Sequence, residues 1–178
     1  MTGSQELSYN LFMYLILIRH GHKTFLPIED PTLSDKGFSQ ADELLKLVEK
    51  GILPLPTMCW VSDSQRTYQT LEKIIKHYSV QYEKTDHLSV RHNNESNPEF
   101  RSRIAKTINS LEQLAQQGRD KVYMLCSHFD WIEEAMSVIN CDQNLTSFEY
   151  SNWAPAQYMV FEYKDSTWFV RNKGVVQG

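Results

Sequence analysis

The chain alternates between short apolar runs and longer stretches whose apolar residues recur at helical spacing. Tyr14-Leu15-Ile16-Leu17-Ile18, Met58-Cys59-Trp60-Val61 and Val122-Tyr123-Met124-Leu125-Cys126 are continuous enough for strands buried on both faces, the first predicted over residues 12–18. Between them, Ala41, Leu44, Leu45 and Val48 share one face of a helix. Leu33-Ser34-Asp35-Lys36-Gly37 is its entry and Gly51 its stop. Leu71, Ile74 and Ile75 mark a second helix over Thr67 to His77, followed over 81–97 by a strand and a polar loop. Ser96-Asn97-Pro98-Glu99 reads as a capped start for a third helix, which carries Ile104, Ile108, Leu111 and Leu114 and stops near Gly118. A further helix is predicted over Trp131 to Val138. The tail alternates through Gln157–Tyr163 and Trp168–Val170 across Asp165-Ser166, a hairpin pattern. Strands separated by helices predict a three-layer α/β/α sandwich around a mainly parallel sheet. One domain over 1–178 is expected, with residues 1–10 as a flexible extension.

Composition narrows the function classes. Hydrophobic residues make up 41% and charged residues 22%, which is globular rather than disordered. A net charge of −4 argues against general nucleic-acid binding, so any anion site must be local. No apolar run reaches the length of a membrane span, and Met1 to Asn10 lacks the basic and apolar parts of a signal peptide. Cys59, Cys126 and Cys141 are odd in number and widely spaced, fitting neither a disulfide framework nor a zinc site; a cytoplasmic protein is expected. Asn94-Glu95-Ser96 and Asn144-Leu145-Thr146 match the glycosylation pattern by coincidence in such a context. Nothing in the sequence points to a particular oligomeric state.

The chemistry gathers where strands end. Arg19-His20-Gly21 closes the first, Ser62 and Arg66 follow the second, and Ser127-His128 closes the third. If these strands are parallel neighbours, two arginines, two histidines and two serine hydroxyls surround one anion-sized space. Helix N-termini after two of the strands add N–H donors suited to phosphate. A guanidinium pair with an imidazole is what phosphoryl transfer through a phosphohistidine needs, because the protein's main task there is to offset oxygen charge. The attacking imidazole has to be neutral, with its other nitrogen fixed by an acceptor such as the Gly21 carbonyl.

Leu17-Ile18-Arg19-His20-Gly21, Leu33-Ser34-Asp35-Lys36-Gly37, Ser62-x-x-x-Arg66-x-x-Gln69-Thr70 and Ser127-His128 resemble, in order and spacing, the motifs of the histidine phosphatase superfamily (phosphoglycerate-mutase-like). Length and tail are most similar to its short SixA-type phosphohistidine phosphatases. The resemblance implies His20 as nucleophile, Arg19 and Arg66 as clamps on the phosphoryl oxygens, His128 completing the pocket, and no metal or other cofactor. Gly21, His22 and Ser62 are expected to bind substrate, a phosphorylated small molecule or a phosphohistidine protein, with no nucleic-acid or membrane partner.

Phe129 stands where larger members carry glycine after the second histidine, Asp63 where proline is usual, and His22 where many have an acid or a small polar residue. The general acid is unassigned. Glu95, Glu99 and Asp130 are the candidates, with Glu99 and Asp130 also readable as helix N-terminal acids. That pattern suits a substrate with an easy leaving group, such as a phosphoramidate. The alternatives are a mutase or phosphatase for sugar or nucleotide phosphomonoesters, and a non-catalytic phosphate-binding module. His22 and Lys23 read equally as pocket mouth or solvated turn, and Arg91-His92 as a polar loop pair.

Overall fold

The computed structural model describes residues 13–117 and 121–178. The expected N-terminal extension, Phe12 at the start of the first strand and the helix stop at Gly118 lie outside the described residues. The elements are β1 (Met13–Arg19), α1 (Asp35–Glu49), β2 (Met58–Val61), α2 (Gln65–Tyr78), β3 (Gln81–Lys84), α3 (Asn97–Gln116), β4 (Lys121–Ser127), α4 (Phe129–Met136), β5 (Gln157–Lys164) and β6 (Thr167–Val175). They build one sheet in the order β3-β2-β4-β1-β5-β6. β3, β2, β4 and β1 run parallel, β5 pairs antiparallel with β1, and β6 pairs antiparallel with β5.

Strand alternation sorts β1 between two cores. Met13, Leu15 and Leu17 pack with Phe100, Ile104 and Ile108 of α3 and Trp131 and Ile132 of α4. Ile16 and Ile18 point the other way, to Leu44 and Val48 of α1 and Leu71 and Ile74 of α2. This is a three-layer arrangement, with helices on both faces of the sheet. A central strand covered on both sides has no face for water, which is why its sequence is continuously apolar.

The helix ends follow their local chemistry. Ser34 caps α1 by accepting from the Gly37 N–H, and Gly51 beyond its C-terminus takes a left-handed φ of 68°. Ser96 and Glu99 form a reciprocal capping box at the start of α3. α2 begins at Gln65 and α4 at Phe129, each two residues before its predicted start, and α4 ends two residues before Val138. Asp165 and Ser166 both have positive φ (49° and 61°), the two-residue hairpin geometry that matches strand twist.

Candidate active site

The parallel register places three strand ends side by side. Arg19 is level with Ser127, and Val61 with Cys126. His20 N–H donates to the Ser127 carbonyl at 3.0 Å, fixing the first turn after β1 against β4. His20 and His128 then lie with ring centroids 5.3 Å apart, and an Arg66 terminal nitrogen donates to His128 Nδ1 at 3.1 Å. Arg19, His20, Arg66 and His128 thus meet at one sheet edge.

Hydrogen bonding fixes both imidazoles. His20 Nδ1–H donates to the Gly21 carbonyl at 2.8 Å, which leaves Nε2 with a lone pair. Arg66 has no acceptor, so His128 Nδ1 accepts from it and the His128 proton sits on Nε2, donated to Ser62 Oγ at 2.7 Å. Ser62 Oγ passes its own proton toward Thr67 Oγ1 at 3.0 Å, and Thr67 donates to the Ser64 carbonyl at 2.7 Å. Burial, then the Arg66 and Arg19 charges, push His20 down to about 3 against the lifting effect of the Gly21 bond. Burial first, then Arg66, pushes His128 down to about 2. Both rings are neutral at pH 7.

The cations are placed by different means. Arg19 donates to the Trp153 carbonyl and stacks over Phe129, 5.2 Å from the ring centroid. Arg66 is 8% exposed and stands in the first turn of α2. Burial lowers both guanidinium groups from their ordinary value, opposed at Arg66 by Asp30; arginines so shifted stay charged. The Nε–H groups of Arg19 and Arg66 are buried and donate to nothing among the described residues. Two such donors beside a neutral imidazole match the needs of a tetrahedral oxyanion.

The remaining sequence-predicted residues frame this centre. Gly21 N–H donates to Thr70 Oγ1 at 3.0 Å, and Gln69 Oε1 accepts from Leu33 N–H at 2.8 Å, so the Gln69-Thr70 pair binds α2 to the loop after β1. Ser62 is fully buried against His128 rather than facing open space. His22 is exposed, with Nδ1 2.7 Å from Ser34 Oγ and its N–H on Gln40 Oε1 at 2.8 Å. Ser127 turns away and donates to the Leu88 carbonyl at 2.6 Å, because the strand alternation aims it at the α3–α4 side. Burial raises the Cys126 thiol far above its ordinary value and Cys59 to about 12, so neither is a nucleophile at neutral pH.

Each candidate acid is engaged elsewhere. Glu95 meets Arg103 through both oxygens at 2.8 Å, and that bond holds its carboxyl at about 2. Glu99 closes the α3 capping box, which lowers its carboxyl. Asp130 accepts from the Arg91 N–H at 2.9 Å. Sequence reasoning missed Asp30, Thr67, Gln40, Phe129 as a cation partner and the Trp153 carbonyl. A backbone carbonyl leaves no mark in a sequence, whereas the Ser62-to-Thr67 spacing at a helix start was a usable sign. Among the described residues no group of three or more His, Cys, Asp or Glu gathers to hold a metal ion, and no helix is long and apolar enough to cross a membrane.

Comparison with known proteins bears on the fold. Residues 15–93 match the model of the histidine phosphatase superfamily (branch 1). The sequence has no significant match among curated proteins. Similar solved structures include the putative phosphohistidine phosphatase SixA from Agrobacterium tumefaciens, with 18% identity, 94% of this chain and 99% of that one covered, and a TM-score of 0.67. Another is the phosphoglycerate mutase from Bacillus anthracis, with 17% identity, 92% and 93% coverage and a TM-score of 0.71. A mycobacterial glucosyl-3-phosphoglycerate phosphatase gives 15% identity, 91% and 99% coverage and a TM-score of 0.70. The fold is therefore phosphoglycerate-mutase-like.

Proposed function

We propose that this chain is a phosphatase of the histidine phosphatase superfamily in which His20 carries the phosphoryl group between two half-reactions. The observation that carries the reading is the convergence of a neutral His20, its Nε2 lone pair free, with the two unpartnered guanidinium Nε–H donors. In the first half-reaction the Nε2 lone pair attacks phosphorus and the bond to the leaving group breaks, its electron pair departing with that group. Arg19 and Arg66 offset charge on the non-bridging oxygens. The proton stays on Nδ1, donated to the Gly21 carbonyl, so the phosphorylated ring is cationic and is itself a good leaving group. In the second half-reaction water attacks phosphorus, the pair of the P–N bond returns to Nε2, and orthophosphate leaves.

The preferred substrate is a phosphohistidine, on a protein or a small molecule, or another phosphorylated group with an equally easy leaving group. Glu95 is held as a carboxylate by Arg103 and Glu99 by the α3 capping box, while Asp130 accepts from the Arg91 N–H, which disfavours an alkyl phosphate whose alkoxide needs a proton as it departs. A protonated phosphohistidine ring leaves as neutral imidazole and needs no such donor. An ester substrate without a donor would forgo about 10²–10⁴-fold in rate.

His20→Ala is expected to remove turnover, and rapid acid-free quenching of the parent enzyme should show acid-labile, base-stable phosphate on His20. Residual phosphatase activity in the variant near the parent level would refute the nucleophile. A higher kcat/KM on a panel of phosphomonoesters than on a phosphohistidine peptide would move the substrate to the ester class. Tight orthophosphate binding with no turnover of either would make the chain a binding module.

A further inference from the structure

The loop from β1 to α1 closes at its base and is tied at its tip by a single residue. Lys23 and Leu33 form an isolated antiparallel bridge, and Thr24 N–H donates to the Thr32 carbonyl at 2.9 Å. Beyond that base, Phe25, Leu26 and Ile28 are exposed at 87%, 71% and 78%. Among the described residues, the side-chain bonds that hold this tip to the body are those of Asp30. Its Oδ1 and Oδ2 accept from the Gln65 N–H, in the first turn of α2, at 3.1 and 3.2 Å. Its Oδ1 also lies 3.6 Å from an Arg66 terminal nitrogen.

The geometry points to Asp30 as an internal counter-ion that competes with the phosphoryl group for Arg66 and so keeps the pocket from holding orthophosphate too tightly. This rests on the anion-binding role given to Arg66 above. A helix N-terminus and a guanidinium are together a natural phosphate cradle. Here a carboxylate of the protein already occupies the outer side of both. Arg66 keeps its Nε–H and the nitrogen on His128 for a ligand, while the nitrogen toward Asp30 is shared. An anion bound to the inner side of Arg66 sits one guanidinium away from the Asp30 charge and is repelled by it. The pocket loses part of one of its two positive charges, and product departs more readily from a site that would otherwise retain it.

Asp30→Asn is the decisive variant, because the amide oxygen still accepts from the Gln65 N–H and keeps the loop tied while the charge is removed. Orthophosphate binding to the parent and the variant, titrated by calorimetry and as competitive inhibition, should tighten about tenfold in the variant at low salt, given the separation and partial exposure of the charge. The difference should shrink at about 1 M salt, where the screening length falls to about 3 Å. A purely structural role would not move with salt. Unchanged or weaker orthophosphate binding in Asp30→Asn, with the parent binding normally, overturns this inference alone. A parent that binds no orthophosphate overturns it together with the phosphatase reading.

Discussion

The two histidines at the centre of the pocket share one electrostatic condition. His20 at about 3 and His128 at about 2 are held neutral by burial and by two cations, against an ordinary 6.5. Below pH 6.5 the unfolded chain takes up protons that the fold excludes. Their effect on stability is therefore absent above the unfolded value. As pH falls from 6.5 toward 3 each histidine destabilises the fold by about 1.4 kcal/mol per unit. Denaturant midpoints between pH 7 and 5 should show this fall, in a window where most carboxylates have yet to titrate. His128→Gln should remove about half of that slope; a parent midpoint flat over the range would contradict the neutral burial of both rings. Arg19, His20, Arg66 and His128 were legible in the sequence because each follows a buried strand at a short, fixed distance. Ser127 was misread in detail. Its dipeptide is right for the site, but strand alternation sends its hydroxyl to Leu88, and alternation is visible only once β4 has a known partner.

Among the elements, α1 packs directly against the segment after β1, and one missing Cβ permits it. A Cβ on Gly37 would stand 2.1 Å from the His22 carbonyl oxygen, a backbone atom that cannot rotate aside. Ser34 N–H meets the same oxygen at 3.0 Å, so the first turn of α1 is fastened to the segment that follows His20. Gly37→Ala is expected to push α1 outward and strain the loop that carries Asp30. Activity should drop at least about tenfold and stability by about 1–3 kcal/mol; full activity with an unchanged denaturant midpoint would contradict the contact. Helix identity was easy to read from apolar spacing and caps, and the Ser96–Glu99 box is formed as its sequence suggests. Helix starts were harder. Gln65 and Phe129 open their helices with polar or half-exposed side chains, so periodicity places each start two residues late.

At the scale of the molecule the tail belongs to the same folded body as the site. Trp168 is fully buried, packs on Tyr163 with ring centroids 4.8 Å apart and donates its Nε1–H to Glu112 of α3 at 2.9 Å. Trp168→Ala should lower stability by about 3–5 kcal/mol, read as a shifted denaturation midpoint. Because β5 runs opposite to β1, it starts where β1 ends. Ala156 N–H reaches the Arg19 and His20 carbonyls at 3.1 and 3.2 Å, and the Trp153 carbonyl holds Arg19. The sequence suggested the hairpin but not which strand it would join, because pairing between distant segments leaves no local pattern. This topology sets a timetable for the nascent chain. Among the described strands β1 is made first, yet both of its neighbours, β4 and β5, are made more than a hundred residues later. At about 5–20 residues per second, a strand with four consecutive aliphatics, Leu15 to Ile18, waits about 5–20 s without a partner. During synthesis β1 is therefore the segment most in need of a chaperone, and the site it carries has to assemble last.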